Sequence, residues 1–177
     1  MAIPQAILFI DEDYLKRFST INGSVDPTFL EPKIIVAQDI WIQELLGSNL
    51  YEKLQKLIQT GDILLAANVD YRNLLEKRVM STTLHWSLVE ILPDCLYKIN
   101  NGSLSTFSSE DSTAITRGEL DRLIETERDK AQFYSERLIS YLCANSSKFP
   151  EYSVQVTSDQ MCPTKSSIYY EGGMEIG

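Results

Sequence analysis

The sequence is poor in the residues on which most enzymes and disulfide-built proteins depend. It holds one histidine and three cysteines in 177 residues. Cys95, Cys143 and Cys162 are odd in number and form no Cys-x-x-Cys or Cys/His cluster. That excludes a disulfide framework and a structural zinc site, and the thiols read as bystanders in a reducing compartment. Positive charge is also scarce, with 16 Lys+Arg against 25 Asp+Glu and a net charge of −9. General binding of nucleic acid needs a surplus of Lys and Arg to neutralise phosphates, so this balance argues against it. No apolar run approaches the ~18 residues of a membrane span. Met1-Ala2-Ile3-Pro4 lacks the basic stretch that opens a secretory leader, so none is expected. Hydrophobic residues make up 44% and charged residues 23%, an ordinary globular composition. The length suits one domain, which can bury about 70% of its unfolded surface.

What is present is helical periodicity. Asp11 is placed to cap a short helix, with Glu12 and Asp13 at its positive end and Tyr14, Leu15 and Phe18 on one side. Asp26-Pro27 opens a second helix whose apolar stripe runs through Phe29, Leu30, Ile34, Ala37, Trp41 and Leu45 to Gly47. Pro32 lies inside that pattern and should kink it, or restrict regular helix to about Lys33–Leu46. Ser48 is placed to cap a third helix with Leu50, Leu54, Leu57 and Ile58 inward and Gly61 as its stop. A long central helix is expected over about Asp70–Leu92. Pro93 then bends or ends it, Leu96, Tyr97 and Ile99 extend it briefly, and Asn100-Asn101-Gly102 breaks it. Ser103–Ile115 reads as an extended arm or a weak hairpin. The last helix carries a heptad seam at Leu120, Ile124, Glu127, Ala131, Tyr134, Leu138 and Tyr141, in which only Glu127 is polar. Its other face carries mixed charge, including Asp121, Arg122, Glu125, Arg128, Asp129 and Arg137, and reads as solvated.

The expected fold class is therefore mainly α, a compact bundle of about four to five helices. An extended arm lies between the last two long helices and an extended tail follows at the C-terminus. Residues 1–151 form the helical domain, with the arm at 103–115. Residues 152–177 form a tail too polar to build a core of its own. Val154 and Val156 alternate with polar residues there, and Ile168, Tyr169 and Tyr170 cluster before Gly172-Gly173. Such a segment either frays or docks on another chain.

Few catalytic tools are visible. His85 lies on the inward stripe beside Trp86 and reads as a packed, hydrogen-bonded histidine rather than a general base. A metal site in a helical bundle wants Glu-x-x-His, but Thr82 stands three residues before His85. The His-Glu-x-x-His, Gly-x-Ser-x-Gly and P-loop patterns are absent. Asp11-Glu12-Asp13 lacks the glycine and distal glutamate of a calcium loop. The carboxylates Glu125 and Asp129 share the solvated face. No catalytic, metal-binding or cofactor-binding residue is assigned, and no cofactor is expected.

Three stretches have a familiar look. They are AQDIWIQELLGSNLYEKLQKLI at Ala37–Ile58, NLLEKRVMSTTLHWSLVEILPDCLYKINNGSL at Asn73–Leu104, and ELDRLIETERDKAQFYSERLISYLCANSSKFPEY at Glu119–Tyr152. In this order they resemble the head–tail connector (adaptor, or ring) proteins of tailed bacteriophages, most closely those of crAss-like phages. The tail after Tyr152 lies outside the resemblance.

The resemblance implies a small helical structural protein of the virion, without catalytic residues or cofactor. Copies of the chain would form a ring, typically twelve-fold, beneath the portal protein at the head–tail junction. The ring would continue the DNA channel and meet further tail or ring proteins. The host cytoplasm would hold it during assembly. Genome DNA would pass through without specific binding, and no membrane is involved. A net acidic subunit agrees, since a repelling lumen keeps the duplex centred. Leu104, Phe107, Val154, Val156, Ile168, Tyr169 and Tyr170 are the expected interface anchors on neighbouring subunits. The alternative is a small helical adaptor or regulator that binds other proteins in the host cytoplasm. A third reading, a hydrolase or transferase with an unrecognised site, needs a pocket lined by shifted carboxylates.

Overall fold

In a computed structural model, the structure describes residues 6–21, 25–100, 103–106, 116–153 and 160–165. The protein is mainly helical and forms a compact bundle. Its helices in chain order are α1 (Glu12–Phe18), α2 (Pro27–Ala37), α3 (Gln43–Leu46), α4 (Ser48–Thr60), α5 (Val69–Leu74), α6 (Met80–Ile91), α7 (Arg117–Ala144) and α8 (Pro150–Ser153). A wide π turn at Gln38–Ile42 joins α2 to α3, and another at Leu75–Val79 joins α5 to α6. A hairpin of β1 (Tyr97–Asn100) and β2 (Ser103–Thr106) precedes α7.

The helix starts follow from their caps. Asp11 accepts a hydrogen bond from the Tyr14 amide and Asp26 accepts one from the Thr28 amide, each meeting a donor that the first helical turn leaves free. Thr116 and Glu119 form a reciprocal capping box at the head of α7. Gly61, at φ 76°, ends α4 in the left-handed conformation.

The bundle is organised around α6, which packs along α7 on one side and α2 on the other. Close packing is helped by small buried residues. Thr82, Thr83 and Ser87 each turn their hydroxyl back to a carbonyl one turn earlier, so they bury no unmet donor. One core gathers Leu45, Leu50, Leu54, Leu74, Trp86, Leu138 and Leu142. A smaller one gathers Ile10, Leu15, Leu30, Ile34, Leu84 and Ile91 beneath α1.

Several expectations need correction. Pro32 neither breaks α2 nor delays it, because regular helix runs from Pro27 through Pro32, and the departure from α geometry falls at Gln38–Ile42. Of the apolar residues on one side of α1 and along the α2 stripe, Phe18 and Phe29 are exposed. Ser48 does not cap α4. Gly47 holds the cap position and Ser48 is the first helical residue. Tyr97 and Ile99 do not extend the central helix. The chain tightens to a 3-10 turn over Leu92–Leu96 and then becomes β1, with Ile99 opposite Leu104. The hairpin alternative for the arm is borne out in part, over Ser103–Thr106, while 107–115 lie outside the described residues.

The first residue given to the tail belongs to the core. Tyr152 is fully buried in the main core, packed with Phe149 behind α4. Residues 160–165 return to the α3–α4 junction of their own chain instead of leaving the domain. An aromatic ring and a run of backbone donors find partners there, which outweighs the polarity of the surrounding sequence.

Candidate functional site

The histidine and the irregular seam residue explain each other. Glu127, the one polar position of the α7 seam, accepts from His85 Nδ1 of α6 at 2.8 Å and from Lys130 Nζ at 2.7 Å. The His85 ring stacks on Tyr134 with centroids 4.9 Å apart. Burial pushes the Glu127 carboxyl up, but the hydrogen bonds from Lys130 and His85 outweigh it and hold it below the usual carboxylate range. Both carboxylate oxygens are occupied, so the group acts as a clamp between α6 and α7. Among the described residues no cluster of three His, Cys, Asp or Glu side chains could hold a metal ion.

A second polar–aromatic cluster closes the same helix pair against the π turn after α2. Trp41 and Trp86 stack with ring centroids 3.8 Å apart and planes within 7°. Trp41 Nε1 donates to Glu90 at 3.0 Å and Trp86 Nε1 to Ser135 at 3.0 Å. Ser135 in turn donates its hydroxyl hydrogen bond to the Ala131 carbonyl. The narrow cleft beside the indoles is lined by Leu45, Ile139 and Gln132. Both indole donors are already committed, so the cluster works as packing.

The α3–α4 junction is a third built feature. Gly47 has φ 73° and ψ 156°, a region open essentially to glycine. The returning chain seats on it. The Ser48 amide donates to the Met161 carbonyl, the Met161 amide donates to Ser48 Oγ, and the Thr164 amide donates to the Glu44 carbonyl, all at 3.0 Å. Tyr152 donates its hydroxyl to the Thr164 carbonyl. Burial first, and then the neighbouring Cys143, push the Tyr152 hydroxyl above its ordinary range, so it remains a donor.

The surface differs in character from these satisfied interiors. On the outward side of α2 and its π turn, Phe29, Val36 and Ile40 are exposed, Ile40 by half. At the α4–α5 corner Leu64, Leu65 and Val69 are exposed, Leu64 by 70%. On α7, Leu123 and Phe133 face solvent. Of the expected anchors, Leu104 lies in β2, while Phe107, Val154, Val156, Ile168, Tyr169 and Tyr170 lie outside the described residues. The apolar α2 face was readable in principle, because apolar residues there exceed a single inward stripe.

Residues 42–160 match a family described as a family of unknown function, DUF6712. The chain belongs to this family. The matched span runs from the end of the first π turn to the chain returning over Gly47, so it covers the α6–α7 clamp and the α3–α4 junction. No curated protein and no solved structure matches the chain.

Proposed function

We propose that this DUF6712 protein is a structural assembly subunit, a ring protein beneath the portal of a tailed bacteriophage that joins head to tail and continues the DNA channel. The observation that carries the assembly reading is the apolar outer side of α2. Apolar residues in excess of a helix's inward stripe favour a second covering surface. In one subunit Phe29, Val36 and Ile40 on that side face water, so a neighbouring subunit supplies the missing cover. Exposed Leu64, Leu65 and Val69 offer a second contact. The charge of −9 supports a lumen that repels DNA rather than gripping it. The phage connector identity rests on the sequence resemblance.

The test is reconstitution of the full chain with the portal protein of the same phage, followed by electron microscopy. The expected result is a closed ring seated on the portal with an acidic lumen. Ile40→Glu should leave the melting temperature nearly unchanged, since exposed substitutions shift stability by only about 0.5 kcal/mol, and should abolish incorporation. A chain that ignores the portal, or a lumen lined mainly by Lys and Arg, would overturn the proposal. Capture of an unrelated soluble protein by the monomer would favour the adaptor reading instead.

A further inference from the structure

Along the outer side of α7, Phe133, Arg137 and Tyr141 form an open groove with Arg78 of the second π turn. Its lining is aromatic and net cationic, with Arg78 and Arg137 against one carboxylate, Glu136. The Arg137 guanidinium lies 5.5 Å from the Phe133 ring centre and that of Arg78 lies 5.4 Å from Tyr141. Among the described residues neither guanidinium is in an ion pair, and Arg78 Nε is buried without a hydrogen-bond partner. Phe133 is exposed by 54%. This is a surface short of an acidic, aromatic partner.

The chain carries such a partner next door. Lys165 lies against the adjoining strip of α7, sharing Glu136 and Ser140 with the groove. The sequence then continues Ser166-Ser167-Ile168-Tyr169-Tyr170-Glu171, and from Ser166 to Gly177 it contains two glutamates and no Lys or Arg. From Ser140 to Phe133 is seven helical residues, or about 10 Å. From Lys165 to Ile168 is three residues, an extended reach of about 10 Å. A tether this short gives millimolar effective concentration, which favours the chain's own segment over one from another copy.

We propose that the α7 groove is the seat of this chain's own Ile168–Glu171 segment. Ile168 or an adjacent tyrosine packs on Phe133, and Glu171 pairs with Arg137 or Arg78. The seat is independent of the ring reading, since it operates within one subunit.

Hydrogen–deuterium exchange on the full chain at a concentration where it is monomeric tests this. The 168–171 amides should exchange at least tenfold more slowly than those of an unstructured chain. Phe133→Ala and Arg137→Glu both change exposed side chains, and each should remove that protection without altering the melting temperature. Adding Glu171→Arg to Arg137→Glu should restore it. Free-chain exchange in the unmodified protein, or protection that neither variant changes, would overturn the proposal. So would protection that appears only as concentration rises, which would place the segment on a second copy.

Discussion

Replacing Gly47 with alanine would test how the returning chain is held. At φ 73° and ψ 156° a residue other than glycine costs about 1–3 kcal/mol in backbone strain. The added Cβ would also stand 2.7 Å from Pro163 Cδ and 2.9 Å from Pro163 N. Ring and backbone atoms cannot swing aside as a flexible side chain does, so residues 160–165 must lift. Lifting gives up the Ser48–Met161 and Thr164–Glu44 backbone bonds, each a net contribution of about 1 kcal/mol. The expected loss in the full chain is therefore about 3–5 kcal/mol. For a chain of this size that lowers the melting temperature by roughly 6–20 °C. Urea and thermal unfolding followed by circular dichroism would measure it. In a chain ending at residue 159 the clash is absent, and Gly47→Ala should cost only the backbone part, about 1–3 kcal/mol. The difference between the two backgrounds, about 2 kcal/mol, is the coupling between the junction and the returning segment. Equal costs in both, or a loss below about 0.5 kcal/mol in the full chain, would refute the reasoning.

Two further predictions concern the α6–α7 contact. Glu127 is held below the ordinary carboxyl value of 4.5. Its stabilising effect is thus complete above that value and fades as pH falls through the lower folded one. On acidification from about pH 5 to about pH 3 the unfolding midpoint of the natural chain should drop more steeply than that of Glu127→Gln; parallel pH profiles would remove Glu127 from the account. Trp86→Phe removes the indole donor to Ser135 and part of the stack on Trp41, and should cost about 1–2 kcal/mol. Denaturant titration checks the cost, and the emission of the remaining Trp41 should shift to the red as its stacked partner shrinks.

Much of the bundle was legible because its signals are local. Asp11 and Asp26-Pro27 mark helix starts through hydrogen bonds that span two or three residues, and Gly61 marks a stop through a single dihedral. The Thr116–Glu119 capping box is an equally local signal. Asn101-Gly102 breaks a helical pattern and, between alternating residues, is equally a hairpin signal. The seam was read correctly, but its interruption could not be interpreted from α7 alone. Glu127 fits there because His85, 42 residues earlier, meets it across the helix pair. The returning chain was illegible for the same reason. Ser48 looks like a cap when its neighbours are considered, yet its hydroxyl receives an amide 113 residues away. Pro32 misled because its cost inside a helix is real, but packing of Leu30 and Ile34 against α6 and α1 outweighs it.

The distribution of satisfied and unsatisfied groups then bears on function. Buried polar side chains are paired internally: Gln38 with the backbone of Ile7 and Phe9, Trp86 with Ser135, the α6 hydroxyls with their own helix. Among the described residues the exception is Arg78 Nε. A site that binds a small solute normally presents convergent polar groups left free for it. Among the described residues the buried polar side chains other than Arg78 are spent on the fold, and the exposed apolar side chains include those on the outer side of α2 and at the α4–α5 corner. Apolar surface of this kind is what an assembly contact would cover, and the ring proposal rests on it.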